Sequence, residues 1–259
     1  MNILDTIVMK KRKEVDEAKL RLPETVLVQS AFYERNCFSI REALNNVGAS
    51  GIIAEHKRKS PSKGVINDQL DLSNVVNAYQ QAGASALSIL TDESFFGGSN
   101  QDIVTVRSNI SIPILRKDFI IDEYQVHEAK SIGADLILLI AACLTPIRVR
   151  QLAGLAISIG MEVLLELHDE EEFDRVCDEV HLVGINNRSL KTFDVNIDRS
   201  LNMAAKLPSN KIKVAESGID HPTQLKLFRD HGYKGFLIGE YFMRQPDPGV
   251  ALKNFISQS

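Results

Sequence analysis

From about residue 50 onward the chain alternates between two hydrophobic rhythms. Short apolar runs are followed by longer amphipathic stretches. The runs are GIIAE from Gly51, SALSIL from Ser85, IPIL from Ile112, DLILLI from Asp135, EVLLEL from Glu162, LVGIN from Leu182, IKVAE from Ile212 and GFLIG from Gly235. Several are apolar without interruption, as parallel strands are when both faces of their sheet are covered. Eight βα units within about 210 residues predict an α/β fold, a closed (β/α)8 (TIM) barrel. An open doubly wound sheet is the alternative. Its dinucleotide-binding version is weakened because no G-x-G-x-x-G follows the first run.

The intervening stretches carry helix punctuation. Thr145-Pro146 reads as an N-cap with proline at the first helical position. Asp169 and Glu172 form a capping-box pair, and Asp220 with Pro222 reads as another helix start. Gly83, Gly133, Gly160 and Gly232 each close a helical pattern just before a strand, where a left-handed residue is wanted. Residues 1–47 precede the first strand. There Ile3, Leu4, Ile7 and Val8 have helical spacing, followed by a basic run from Lys10 to Lys13. The segment is expected to form helices on the end or side of a barrel that occupies residues 48–259. No linker separates the two, so they are read as one domain.

Composition narrows the function classes. The formal net charge of −4 gives no global attraction to nucleic acid or to an anionic membrane. The three cysteines, Cys37, Cys143 and Cys177, form no C-x-x-C pair, which suits a reducing compartment. The longest apolar run, Leu136 to Leu144, is far short of the roughly 18 residues that span a bilayer. No signal peptide is recognised. The expectation is a cytoplasmic protein, a monomer or weak homodimer, with no nucleic-acid or membrane partner.

Barrel enzymes place their chemistry at the C-terminal ends of the strands. Here those ends read Glu55-His56-Lys57, Arg116-Lys117-Asp118, Glu166 to His168, Asn186-Asn187-Arg188 and Glu216-Ser217. Side chains alternate faces along a strand, so Glu55 and Lys57 follow Ile53, Lys117 follows Leu115, and Glu166 follows Leu164. If those apolar residues point into the barrel, two lysines and three glutamates meet over one pocket. That is a general acid/base set with no metal. HKRKSPSKG, from His56, can be a basic patch, a plain exposed loop or a phosphate-facing loop. The last two loops, ESGI and IGEYF, are the usual phosphate site of such barrels, and Gly218 and Gly239 let the main chain approach an anion. Glu240 stands beside that site, where its charge would repel phosphate unless turned away.

The order IIAEHKRKSPSKG, SILTDESFFGGS, PILRKDFIIDEYQ, GADLILLIAACL, MEVLLELHDEEE, GINNRSLKTF, ESGI, FLIGEYFM strongly resembles the indole-3-glycerol phosphate synthase family over nearly the whole chain. The resemblance implies a small phosphorylated substrate, 1-(2-carboxyphenylamino)-1-deoxyribulose 5-phosphate. Indole-3-glycerol phosphate, carbon dioxide and water are its products in tryptophan biosynthesis, with no cofactor or metal. It implies Lys117 as general acid in ring closure and Lys57 as the holder of the aryl carboxylate and a proton donor in dehydration. Glu166 and Glu55 serve the proton-transfer steps, with acid and base unassigned between them. Asn186 and Glu216 orient substrate and lysines, and Arg188 supports Asn186. Ser60, Ser217, Gly218 and Gly239 hold the phosphate, while Pro61, Phe96, Phe119, Leu138 and Leu190 wall the aryl pocket. A related phosphosugar isomerase and a barrel that only binds a phosphorylated ligand are the competing readings. Neither accounts for both lysines.

Overall fold

Eight parallel strands close on themselves: β1 Ile52–His56, β2 Ala86–Leu90, β3 Ile114–Lys117, β4 Leu136–Ile140, β5 Glu162–Leu167, β6 Leu182–Asn186, β7 Ile212–Glu216 and β8 Tyr233–Ile238. Each falls on one of the eight apolar runs. Strand β1 pairs with both β2 and β8, which closes the barrel and removes the open-sheet alternative. This computed structural model describes residues 3–189 and 194–259.

Parity divides the core in two. Ile53, Leu115, Leu138, Leu164, Leu182, Val214 and Leu237 form an inner cluster. Their strand neighbours Ile52, Ala54, Ile114, Ile137, Val163, Ile185 and Phe236 belong to a larger cluster shared with the surrounding helices. Strands buried on both faces are apolar at every position, which is why the runs show little alternation. Inward parity carries past the apolar residues to Glu55, Lys57, Lys117, Glu166, Asn186 and Glu216.

The punctuation mostly performs as the sequence predicts. Thr145 caps the helix Pro146–Ser158, and Asp169 with Glu172 makes a complete capping box on a short 3-10 helix, Glu170–Arg175. All four helix-closing glycines have positive φ, from 79° to 98°. Asp220 is a correction. The helix there runs Thr223–Asp230 without a side-chain cap, and Gln224 instead reaches back to accept from the Asp220 and His221 N–H groups. A longer side chain from inside the helix does the work that a short acid before it was expected to do.

Three helices precede the barrel: α1 Ile3–Arg21, α2 Glu24–Leu27 and α3 Ile40–Asn45. They run from one end of the barrel to the other. Helix α1 lies at the catalytic mouth, where Ile3, Leu4 and Ile7 face the cavity. The chain then descends the outside. Tyr33 Oη is 2.6 Å from His127 Nδ1, and Arg35 pairs with Asp135 at 2.7 Å. Helix α3 reaches the opposite end, where Glu162 at the start of β5 accepts from Ser39 Oγ, the Ile40 N–H and Arg41 Nε. Ile40 and Leu44 join the inner cluster from below.

Lys11 departs from what the basic run suggests. Only 5% exposed, it lies 3.0 Å from Asp92, 2.9 Å from Asp118 and 2.7 Å from Glu14. Asp92 follows β2 and Asp118 follows β3, so one lysine of α1 is tied to two strand ends. Among the described residues, no helix is long and apolar enough to cross a membrane.

Candidate active site

The strand ends converge on one cavity. Glu55, Lys57, Lys117, Glu166, Asn186 and Glu216 all line it. Lys117 stands between two carboxylates, with Nζ 3.1 Å from Glu166 Oε2 and 3.0 Å from Glu216 Oε2. Glu166 Oε1 accepts from Asn186 Nδ2 at 3.0 Å and lies 2.9 Å from His168 Nε2. Lys57 and Glu55 pair at 2.6 Å, and Ser88 Oγ, from β2, is 3.4 Å from the other oxygen of Glu55.

Two glycines at the catalytic end of the barrel each make room for a glutamate. A Cβ at Gly184 would overlap Glu216 Oε1, and one at Gly239 would come within 2.6 Å of Glu55 Oε1. Gly239 has φ −128°, so its small size, rather than a left-handed backbone, is what its place requires.

Burial opposes every charge here, and partners decide the outcome. For Lys117 burial works against the ammonium, but Glu166, Glu216 and Glu55 outweigh it and raise its pKa above the ordinary lysine value. Glu166 is likewise opposed by burial, yet Lys117 and His168, with Asn186's hydrogen bond, hold it well below the usual carboxylate range. Glu55 is lowered against burial by Lys57 and Lys117. Glu216 goes the other way. Burial and the neighbouring charge of Glu166 exceed the pull of Lys117 and push it up to about 7. Its Oε1, pressed against Gly184, is buried without a hydrogen-bond partner. Two carboxylates compete for one ammonium, and Glu166 wins because it has more partners. The site therefore holds a carboxylate pulled down and a carboxylate pushed up on either side of the same lysine.

One wall of the cavity is apolar. Phe96 and Phe119 lie with ring centroids 6.1 Å apart, and Pro61 and Leu138 join them. Ile3, Leu4 and Ile7 complete the wall. Leu190 lies outside the described residues. Ser60, Ser217, Gly218 and Gly239 also line the cavity. Ser217 and Gly218 both have φ 67°, a left-handed backbone that costs glycine nothing and is strained only at Ser217. Asn187 Nδ2 donates to the Ser217 carbonyl at 2.7 Å and braces that turn. The Arg188 N–H donates to Asn186 Oδ1 at 2.9 Å. The Glu240 carboxylate pairs with Arg244 at 2.7 Å and lies 3.7 Å from Arg188 and 3.9 Å from Lys63. Those cations offset the repulsion that a lone acid would impose.

The sequence matches a known family. A family model described as indole-3-glycerol phosphate synthase matches residues 4–255. The chain belongs to the indole-3-glycerol phosphate synthase family. It is 47% identical over 255 residues to the indole-3-glycerol phosphate synthase of Bacteroides thetaiotaomicron, covering 98% of each chain. It is 42% identical to that of Carboxydothermus hydrogenoformans, covering 96% of this chain and 98% of the relative. Among solved structures, tryptophan synthase subunit alpha from Legionella pneumophila superposes with a TM-score of 0.60 at 12% identity, covering 85% of this chain and 95% of that one. KGPDC from Streptococcus mutans gives 0.62 at 14%, covering 80% and 96%. Those two show the barrel fold alone. The family makes this chain a carbon–carbon lyase of tryptophan biosynthesis that binds a phosphorylated substrate.

Sequence reasoning gave no part in the site to four of its features. His168 shares the inward parity of Glu166, and that was its signal. Ile3, Leu4 and Ile7 showed helical spacing, but spacing does not say what the buried face meets. Gly184 looked like any glycine in an apolar strand. Ser88 was the polar member of an otherwise apolar run.

Proposed function

We propose that Lys117 is the general acid that starts the reaction, protonating the ketone oxygen of 1-(2-carboxyphenylamino)-1-deoxyribulose 5-phosphate as the aryl carbon attacks the ketone carbon. The new hydroxyl carries the lysine's proton, and a fixed ammonium stabilises the negative charge growing on that oxygen. Carbon dioxide then leaves, and the electrons of its bond restore the aromatic ring. Dehydration follows. Lys57, which also holds the aryl carboxylate, donates to the departing hydroxyl, assisted by Glu55. Ionised Glu166 takes the proton from the carbon beside nitrogen. Glu216 and Asn186 keep Lys117 and Glu166 in place, and Arg188 steadies Asn186. Pro61, Phe96, Phe119, Leu138 and Leu190 receive the aryl ring. Ser60, Ser217, Gly218 and Gly239 receive the phosphate.

The observation that carries this reading is Lys117 suspended between Glu166 and Glu216 in a cavity that Phe96, Phe119 and the left-handed Ser217–Gly218 turn also line. Every step uses side-chain acids and bases. We place the reaction in the cytoplasm, carried out by a monomer or weak homodimer.

The test is to mix the purified protein with the substrate, without added metal or cofactor, and to follow indole fluorescence. The parent should give the signal, and Lys117→Ala should reduce turnover at least about 100-fold. A folded parent that gives no signal overturns the proposal.

A further inference from the structure

His168 is buried, 6% exposed, and lines the cavity beside Glu166. It follows the last residue of β5, two positions after Glu166, so both side chains lean the same way. Its Nε2 is 2.9 Å from Glu166 Oε1, the oxygen that also accepts from Asn186 at 3.0 Å. The other oxygen takes Lys117 at 3.1 Å. Glu166 is thus held from three directions, by strands β3, β5 and β6.

The ring sits among carboxylates. Glu166 belongs to its own strand and Glu216 to β7. Glu172, from the turn after β5, accepts from the His168 backbone N–H at 2.6 Å. Lys117, from β3, already serves Glu166 and Glu216, and Cys143, from the loop after β4, has its thiol pushed up to about 12 by burial and then by Glu166 and Glu172. Neither ring nitrogen makes a directed hydrogen bond, so the 2.9 Å contact of Nε2 with Glu166 is a charge pair. A neutral imidazole could meet Glu166 only through one tautomer. An imidazolium is favoured by all three acids. Burial opposes the ring's charge, but Glu166, then Glu172 and Glu216, raise its pKa above the ordinary imidazole value.

We propose that His168 is a positioning residue for this reaction: its charged ring fixes Glu166 Oε1 beside Asn186 and keeps that carboxylate ionised as the base of the dehydration step. The inference rests on the assignment of Glu166 in the proposed mechanism. Lys117 alone would have to neutralise two glutamates. The second cation accounts for Glu166 being pulled down while Glu216, beside the same lysine, is pushed up.

His168→Gln tests this, because glutamine can keep a donor near Glu166 without the charge. The acid limb of the kcat/KM profile should move up by at least about one pH unit, since an opposite charge at this range typically lowers a carboxylate by 1–3 units. KM should stay within roughly twofold, because the ring is not assigned to substrate. A profile superimposable on the parent's, or a raised KM with unchanged kcat, overturns the proposal. A second measurement does not depend on that variant folding. The His168 ring is titrated by 15N NMR in the parent and in Glu166→Gln. Its midpoint should exceed the ordinary imidazole value and fall by at least about one unit in the variant. Equal midpoints overturn the proposal. A parent with no synthase activity would sink the functional reading instead, and the ring titration would still decide the pairing.

Discussion

Gly184 and Glu216 stand on the neighbouring strands β6 and β7, and the carboxylate occupies the space where a methyl would be. Gly184→Ala should therefore leave the fold intact but push Glu216 off Lys117. A displacement of about 1 Å at such a site can cost on the order of 100-fold in rate. Steady-state turnover together with a far-UV spectrum would check it; full activity would show that Glu216 does not position the lysine. The inward acids and lysines were legible in the sequence because parity is a property of the strand alone. Gly184's role was not, because it depends on which side chain of the neighbouring strand leans over it, two residues beyond its register partner Val214. The pairing of His168 with Glu166 was hidden for a similar reason: their shared face was readable, but their separation was not.

At the scale of elements, the eight strands could be read because burial on both faces leaves an apolar run with sharp ends. The placement of α1 could not, since a helical stripe records that one face is covered and not by what. Lys11 shows the cost of that gap. In sequence it is one of four consecutive basic residues, yet it is the shared cation of Asp92 and Asp118. Burial opposes the Asp118 charge, while Lys11 and Arg116 hold its carboxyl below the usual range. Lys11→Met would leave Asp92 buried without its cation and Asp118 with only Arg116. It should destabilise the protein by about 3–5 kcal/mol, the usual result of breaking a buried pair. Urea unfolding would measure this. KM should rise as well, because Ile3, Leu4 and Ile7 would lose the anchor that seats them over the aryl pocket. A loss of stability with unchanged KM would separate the anchor from the wall.

For the whole molecule, the charged mouth sets a stability profile with two slopes. Glu55, Glu166 and Asp118 have folded pKa values below their unfolded ones. Their contribution is present above the ordinary carboxylate range and is lost as the pH falls through their lower folded values. Glu216 is raised from 4.5 to about 7, so its contribution is present below 4.5 and is lost as the pH rises toward about 7. Stability should thus be greatest on the acidic side of neutrality, as far as these groups decide it. Glu216→Gln should remove the second slope. Relative to the parent, its melting temperature should improve steadily between pH 5 and pH 8, as calorimetry would show. A constant difference across that range would mean that Glu216 is fully ionised in the folded protein.

The extension that spans both ends of the barrel also imposes an order on synthesis. Helix α1 leaves the ribosome more than 200 residues ahead of β8, the strand that closes the barrel. At about 5–20 residues per second the interval is roughly 10–50 s. The mouth that α1 covers does not exist until then, so the helix that roofs the site is made first and seated last. Through that interval Ile3, Leu4 and Ile7 are open to any other apolar surface in the cell, and the nascent chain is most exposed to mispairing at the segment its finished form hides.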